Sequence, residues 1–141
     1  MECMANSDNV IRAGLTPKLR DIPNLVSTLT YIPASADEHL VQPTRFSASN
    51  FTTLYDPPIA EFSVLQVVLP AGQKDRHAPI HGPSTAIVTE GEGSVTWEGD
   101  AAGRLDIAQG SVVFISAGVA VEFHQKSKEQ QMVVYRAYVE A

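Results

Sequence analysis

The chain has 141 residues, 44% of them apolar and 18% charged, a balance that excludes a disordered chain and fits one globular domain. A net charge of −6 leaves no overall basic field for nucleic acid or an anionic membrane. The one cysteine, Cys3, excludes an internal disulfide or a cysteine-rich zinc site, and no apolar run approaches the ~18 residues of a membrane-spanning helix.

Met1-Glu2-Cys3-Met4 has neither the basic nor the apolar segment of a secretory leader, so a cytoplasmic location is expected. Residues 1–32 then mix polar groups with Pro17 and Pro23. Within them Ile22, Leu25, Val26 and Leu29 recur at i, i+3, i+4 and i+7, one face of a short helix. Asp21 suits its N-cap, and Pro23 falls in the first turn, where its missing N–H costs little. Pro33 is expected to end it. Residues 33–58, with Pro33, Pro43, Pro57 and Pro58, read as a connector. A structureless loop this long is unusual, so a strand or two is expected, around Thr52–Tyr55.

From residue 59 short runs of β-formers take over: 62–69, 84–89, 94–97, 111–115, 119–123 and 132–139. Gly-rich and polar turns at 71–73, 90–93, 98–100 and 126–131 separate them. Evenly spaced short strands point to an all-β sandwich or barrel. The run 62–69 is apolar on both faces apart from Ser63 and Gln66, which places it centrally. Val112 shares a face with Phe114, and Val133 with Tyr135; Ser111 and Arg136 take the opposite faces.

The order of these signals has a familiar pattern. Gly72, polar residues and histidines, then Ala86–Gly93, resemble the first half of a cupin jelly roll, and Gly110–Val119 its second half. The resemblance implies a cupin-type jelly-roll barrel (a double-stranded β-helix) behind a short N-terminal helical and loop segment. In a metal-binding cupin the first motif supplies His, His and Glu and the second a further His. Counted from Gly72, Ala78 and Ile80 stand at the first positions, and Val121 stands where the last histidine belongs. His77, His81 and His124 lie close by. They read either as a metal site or as three surface or loop histidines on a barrel without a metal, and the shifted register favours the second. Glu90 and Glu92, in an exposed Gly-rich turn, read as acid–base carboxylates or as solvated charges. Trp97 and Tyr135 read as sugar-stacking rings or as core. Cys3 has no basic neighbour in sequence to activate it.

Residues 2–18 carry the most specific signal. They read E-C-M-A-N-S-D-N-V-I-R-A-G-L-T-P-K, a dense polar set in which Arg12 and Lys18 suit an anion such as a phosphate or an enediolate. The string closely resembles a block of the type I mannose-6-phosphate isomerases. The likeness continues through Arg20–Leu25, Tyr31-Ile32-Pro33 and Tyr55–Phe62, and then more loosely to the end; the turn at 88–93 looks most like fungal members. It implies interconversion of mannose 6-phosphate and fructose 6-phosphate through a cis-enediol, supplying GDP-mannose synthesis. It puts the catalytic arginine at Arg12, a phosphate-binding cation at Lys18, and acidic pocket residues at Glu2 and Asp8. It also implies a zinc held by Gln, His, Glu and His, all N-terminal to this block, so none of the ligands is expected here.

The expected organisation is thus the end of a catalytic segment with a short helix (1–32), a connector (33–58) and a metal-free C-terminal cupin barrel (59–141). The chain reads as the C-terminal portion of an isomerase, inactive alone and able to associate with a catalytic domain; its small-molecule partner is a sugar phosphate. Two other readings stay open. One is a stand-alone cupin that binds a sugar or sugar phosphate in a pocket of Trp97, Tyr135 and His124. The other is a structural module for a partner chain.

Overall fold

The computed structural model describes residues 10–99 and 102–139. The chain divides after Leu40 into two units.

In the first unit, α1 (Ile22–Thr28) begins as the sequence dictates. Asp21 is its N-cap, with Oδ1 accepting the Asn24 N–H at 3.2 Å, and Pro23 sits in the first turn. The Asp21 N–H donates to the Arg12 carbonyl at 2.8 Å, closing the chain from 12 to 21. The helix stops at Thr28, before Pro33. The Ser27 and Thr28 hydroxyls bond back to the carbonyls of Asn24 and Leu25, and Leu29 turns extended, with ψ 133°. A second, one-turn helix, α2 (Ala36–His39), has no apolar signal; Glu38 Oε2 accepts the Ser35 N–H at 2.7 Å and holds its start.

The second unit is built of strands: β1 (Thr44–Arg45), β2 (Thr52–Tyr55), β3 (Ser63–Leu69), β4 (Lys74–His77), β5 (Ser84–Glu90), β6 (Glu92–Trp97), β7 (Gly103–Ala108), β8 (Val112–Ile115), β9 (Val121–Gln125) and β10 (Met132–Tyr138). They form two antiparallel sheets, in the orders β1-β2-β3-β10-β5-β8 and β4-β9-β6-β7. Strands β3 to β10 pass between the sheets in jelly-roll order, and β1 and β2 extend the first sheet beyond β3. These two strands come from the stretch read as a connector. As its two apolar faces require, β3 is central, between β2 and β10. At the β5–β6 turn Gly91 has φ 75°, and an added Cβ would collide with the Gln131 carbonyl. No helix among the described residues is long and apolar enough to cross a membrane.

The core lies between the sheets. Val67, Leu69, Val88, Val95, Phe123, Met132 and Val134 belong to one cluster, and Leu65, Ile80 and Tyr138 to another. The face that Val112 and Phe114 share is the outer one: Phe114 is 70% exposed. Arg136, by contrast, points inward with Met132, Val134 and Tyr138, and is 1% exposed.

Candidate functional site

The residues singled out in the sequence fall in both units. In the first, Arg12 is half-buried and Lys18 exposed. Among the described residues the Arg12 guanidinium has no hydrogen-bond or ion-pair partner. The backbone around it is fixed by the bond to Asp21 and, at Lys18, by an N–H donated to Thr16 Oγ1 at 3.2 Å. Glu2 and Asp8 lie outside the described residues.

In the second unit the histidines scatter. His77 ends β4 and is fully buried, contrary to the reading of it as a surface or loop residue. His124, on β9, alternates with buried Val121, Phe123 and Gln125 and so faces away from them. Its Nε2 lies 2.9 Å from Glu122 Oε2 and 3.1 Å from Thr96 Oγ1. His81 is exposed beyond the end of β4. Pocket residues proposed from sequence also separate. Tyr135 bonds Gln66 through its hydroxyl at 2.8 Å, while Trp97 borders an apolar cavity with Val95, Leu105 and Val119 that neither Tyr135 nor His124 lines.

What the structure does bring together is a buried polar chain that the sequence left unseen. The Arg136 guanidinium donates from Nε to Ser84 Oγ at 2.9 Å, and its Nη1 lies 3.2 Å from His77 Nδ1. A guanidinium only donates, so Nδ1 accepts and Nε2 carries the imidazole proton. That Nε2 lies 3.0 Å from Thr52 Oγ1, which donates to Asp75 Oδ2 at 2.5 Å. Ser49 Oγ donates to the same oxygen at 2.6 Å. Burial lowers the Arg136 pKa to about 10, against an opposing effect of Tyr138, so the group remains charged at neutral pH. Burial pulls the Asp75 carboxyl up, but hydrogen bonds from His77, Ser49 and Thr52 outweigh it and hold the group below its ordinary value. One signal was available: Asp75 and His77 are spaced i, i+2 and must share a face if 74–77 is a strand.

Comparison with known proteins places these observations. Residues 53–100 match the family model described as phosphomannose isomerase type I C-terminal. The mannose-6-phosphate isomerase of Cryptococcus neoformans is 53% identical over all of this chain, and that of Schizosaccharomyces pombe 47% identical over 99% of it. A mannose 6-phosphate isomerase from Salmonella typhimurium, solved bound to substrate (f6p) and a zinc atom, superposes with a TM-score of 0.71 at 31% identity and 98% coverage of this chain. The chain matches the C-terminal region of the type I phosphomannose isomerases. It spans 31% and 34% of the length of the two fungal isomerases and 32% of the bacterial one.

Zinc accompanies that bacterial phosphomannose isomerase, so the histidines here bear testing as ligands. They do not fit. Both ring nitrogens of His77 already have partners, and a fixed cation stands 3.2 Å from one of them. His124 faces outward and His81 lies beyond the strand. Among the described residues no three His, Cys, Asp or Glu side chains gather as a metal site.

Proposed function

We propose that this chain supplies the C-terminal part of a mannose-6-phosphate isomerase, which interconverts mannose 6-phosphate and fructose 6-phosphate in the cytoplasm for GDP-mannose synthesis. The observation that carries the reading is the 53% identity to the Cryptococcus neoformans enzyme along the whole chain, the stretch around Arg12 included.

The reaction moves a proton from C2 of the aldose to C1, and the O2 hydroxyl proton to O1, through a cis-enediol. Negative charge builds on O1 and O2 in between. Arg12 stabilises that charge: a guanidinium stays protonated and can grip two oxygens at once. Lys18 pairs with the substrate phosphate. Glu2 and Asp8 take part in proton transfer or in holding Arg12. No step is assigned to a metal on this chain, because its histidines do not fit one.

The chain alone is inactive in this reading, and it works packed against the catalytic part of an isomerase. The surface of the first unit supports this. Leu15, Leu19, Ile22, Val26, Tyr31 and Ile32 are all exposed, and apolar area left in water forgoes ~25 cal/mol per Å². The test compares the 141-residue chain, supplied with zinc and mannose 6-phosphate, with a chimera in which it replaces the matching region of the Cryptococcus neoformans enzyme. Turnover by the chimera and none by the chain is expected. A chimera that folds without turning over overturns the proposal.

A further inference from the structure

A cleft of about 500 Å³ opens in the second unit between the β1–β2 turn and the loop that follows β4. Its volume suits a small molecule. Phe46, Ile80 and Tyr138 give it apolar surface, and Ser47, Asp75 and His81 give it polar surface. Every group belongs to the second unit, and the reading does not rest on the isomerase proposal.

Asp75 is the feature that points to a ligand. It is only 8% exposed, yet it lines the cleft. Its hydrogen bonds from Ser49 and Thr52 both end on Oδ2, which also faces His77 at 3.5 Å. Among the described residues the one sealed side-chain polar atom without a partner is Ser94 Oγ. Oδ1 of Asp75 is therefore not sealed, and it is left to meet whatever fills the cleft. The buried chain behind it, through Thr52 and His77 to Arg136, fixes the carboxylate in place. Ser47 at the rim holds a left-handed backbone, with φ 52°, that a serine rarely adopts.

The Asp75 carboxylate and the apolar wall of the cleft select the ligand class. The Asp75 carboxylate repels an anion. Arg76 is turned to the opposite face of β4 from Asp75, where it pairs with Glu98 at 3.3 Å, so it adds no charge to the cleft. A carboxylate oxygen needs a donor, and a hydroxyl on an uncharged carbon skeleton supplies one while suiting the apolar wall of the cleft. Phe46 and Tyr138 offer aromatic surface to the C–H face of a sugar or polyol. We propose that this cleft binds an uncharged polyhydroxylated molecule, with Asp75 Oδ1 accepting from its hydroxyl groups.

The test is amide chemical-shift mapping on the isotopically labelled full chain titrated with mannose, and separately with inorganic phosphate and ethanolamine. Saturable shifts at Ser47, Asp75 and His81 with mannose, and none with the two charged probes, are expected. Asp75→Asn should weaken mannose about tenfold, the loss of one hydrogen bond to a charged acceptor. Because that change touches the buried chain, Ala48→Trp serves as a second variant: it fills the mouth from an exposed position and should abolish the shifts while the fold stays intact. No saturable shift with mannose, shifts that survive Ala48→Trp, or a tighter response to phosphate or ethanolamine would overturn the proposal.

Discussion

Arg136 Nη1 lies 3.2 Å from His77 Nδ1, and both side chains are buried between the sheets of the jelly roll. The barrel thus carries its own internal cation. The guanidinium reaches His77 on β4 and Ser84 on β5, one strand in each sheet, and so ties the sheets together.

Arg136→Met tests that tie. Methionine fills much of the space but strands His77 Nδ1 and Ser84 Oγ, and an unsatisfied buried polar group costs ~1–3 kcal/mol. Urea unfolding should show a loss of at least that size. Arg136→Lys should not restore it, because a single ammonium cannot reproduce the planar fork. Unchanged stability in the methionine variant would show that the buried chain contributes nothing net.

The Asp75 carboxyl gives the pH dependence. Its pKa in the folded chain is below the ordinary value of 3.8, so the unfolded state takes up its proton first as pH falls. The stabilisation it provides is present in full above pH 3.8 and lost as pH drops through the folded value. Asp75→Asn should lower stability at neutral pH and flatten the acid limb of the stability curve. An acid limb as steep as in the unaltered chain would assign that limb to other carboxylates.

Two glycines separate backbone strain from collision. Gly72 and Gly91 both have positive φ, at 69° and 75°, but only Gly91 faces a neighbour, the Gln131 carbonyl. Gly72→Ala should cost ~1–2 kcal/mol, the left-handed penalty alone. Gly91→Ala should cost clearly more and shift the β5–β6 turn. Equal losses in thermal melts would contradict the close approach of that turn to Gln131.

Zinc should leave the melting temperature of the 141-residue chain unchanged, because a ligand stabilises only where the folded state binds it. A rise in melting temperature that disappears in His77→Gln would mean that Arg136 can yield its place to a metal.

Much of the barrel was legible because its inner strands alternate plainly between glycine turns. The elements that escaped did so for identifiable reasons. Strand β7 turns only Ile107 firmly inward, and one apolar residue sets no period. Strand β4 points Asp75 and His77 inward, so its core face reads as polar. Arg136 occupies a core position in β10, where a charge normally signals the outer face. The stripe Ile22–Leu25–Val26–Leu29 did give a helix as far as Thr28, but Ile22 and Val26 remain exposed; a period tells where an apolar face lies, not what covers it. Arg12 and Lys18 are proposed only through the string that contains them, since a cation beside a turn is ordinarily just solvated.

The most direct test of the isomerase reading is steady-state turnover of mannose 6-phosphate by the chimera with the Cryptococcus neoformans enzyme, with and without Arg12→Ala. Removing a group that stabilises developing charge should lower kcat by about 10²–10³-fold, leave KM far less changed, and leave the melting temperature intact. A variant chimera that turns over as fast as its parent would contradict the assignment of Arg12, and with it the role proposed for this chain in the reaction.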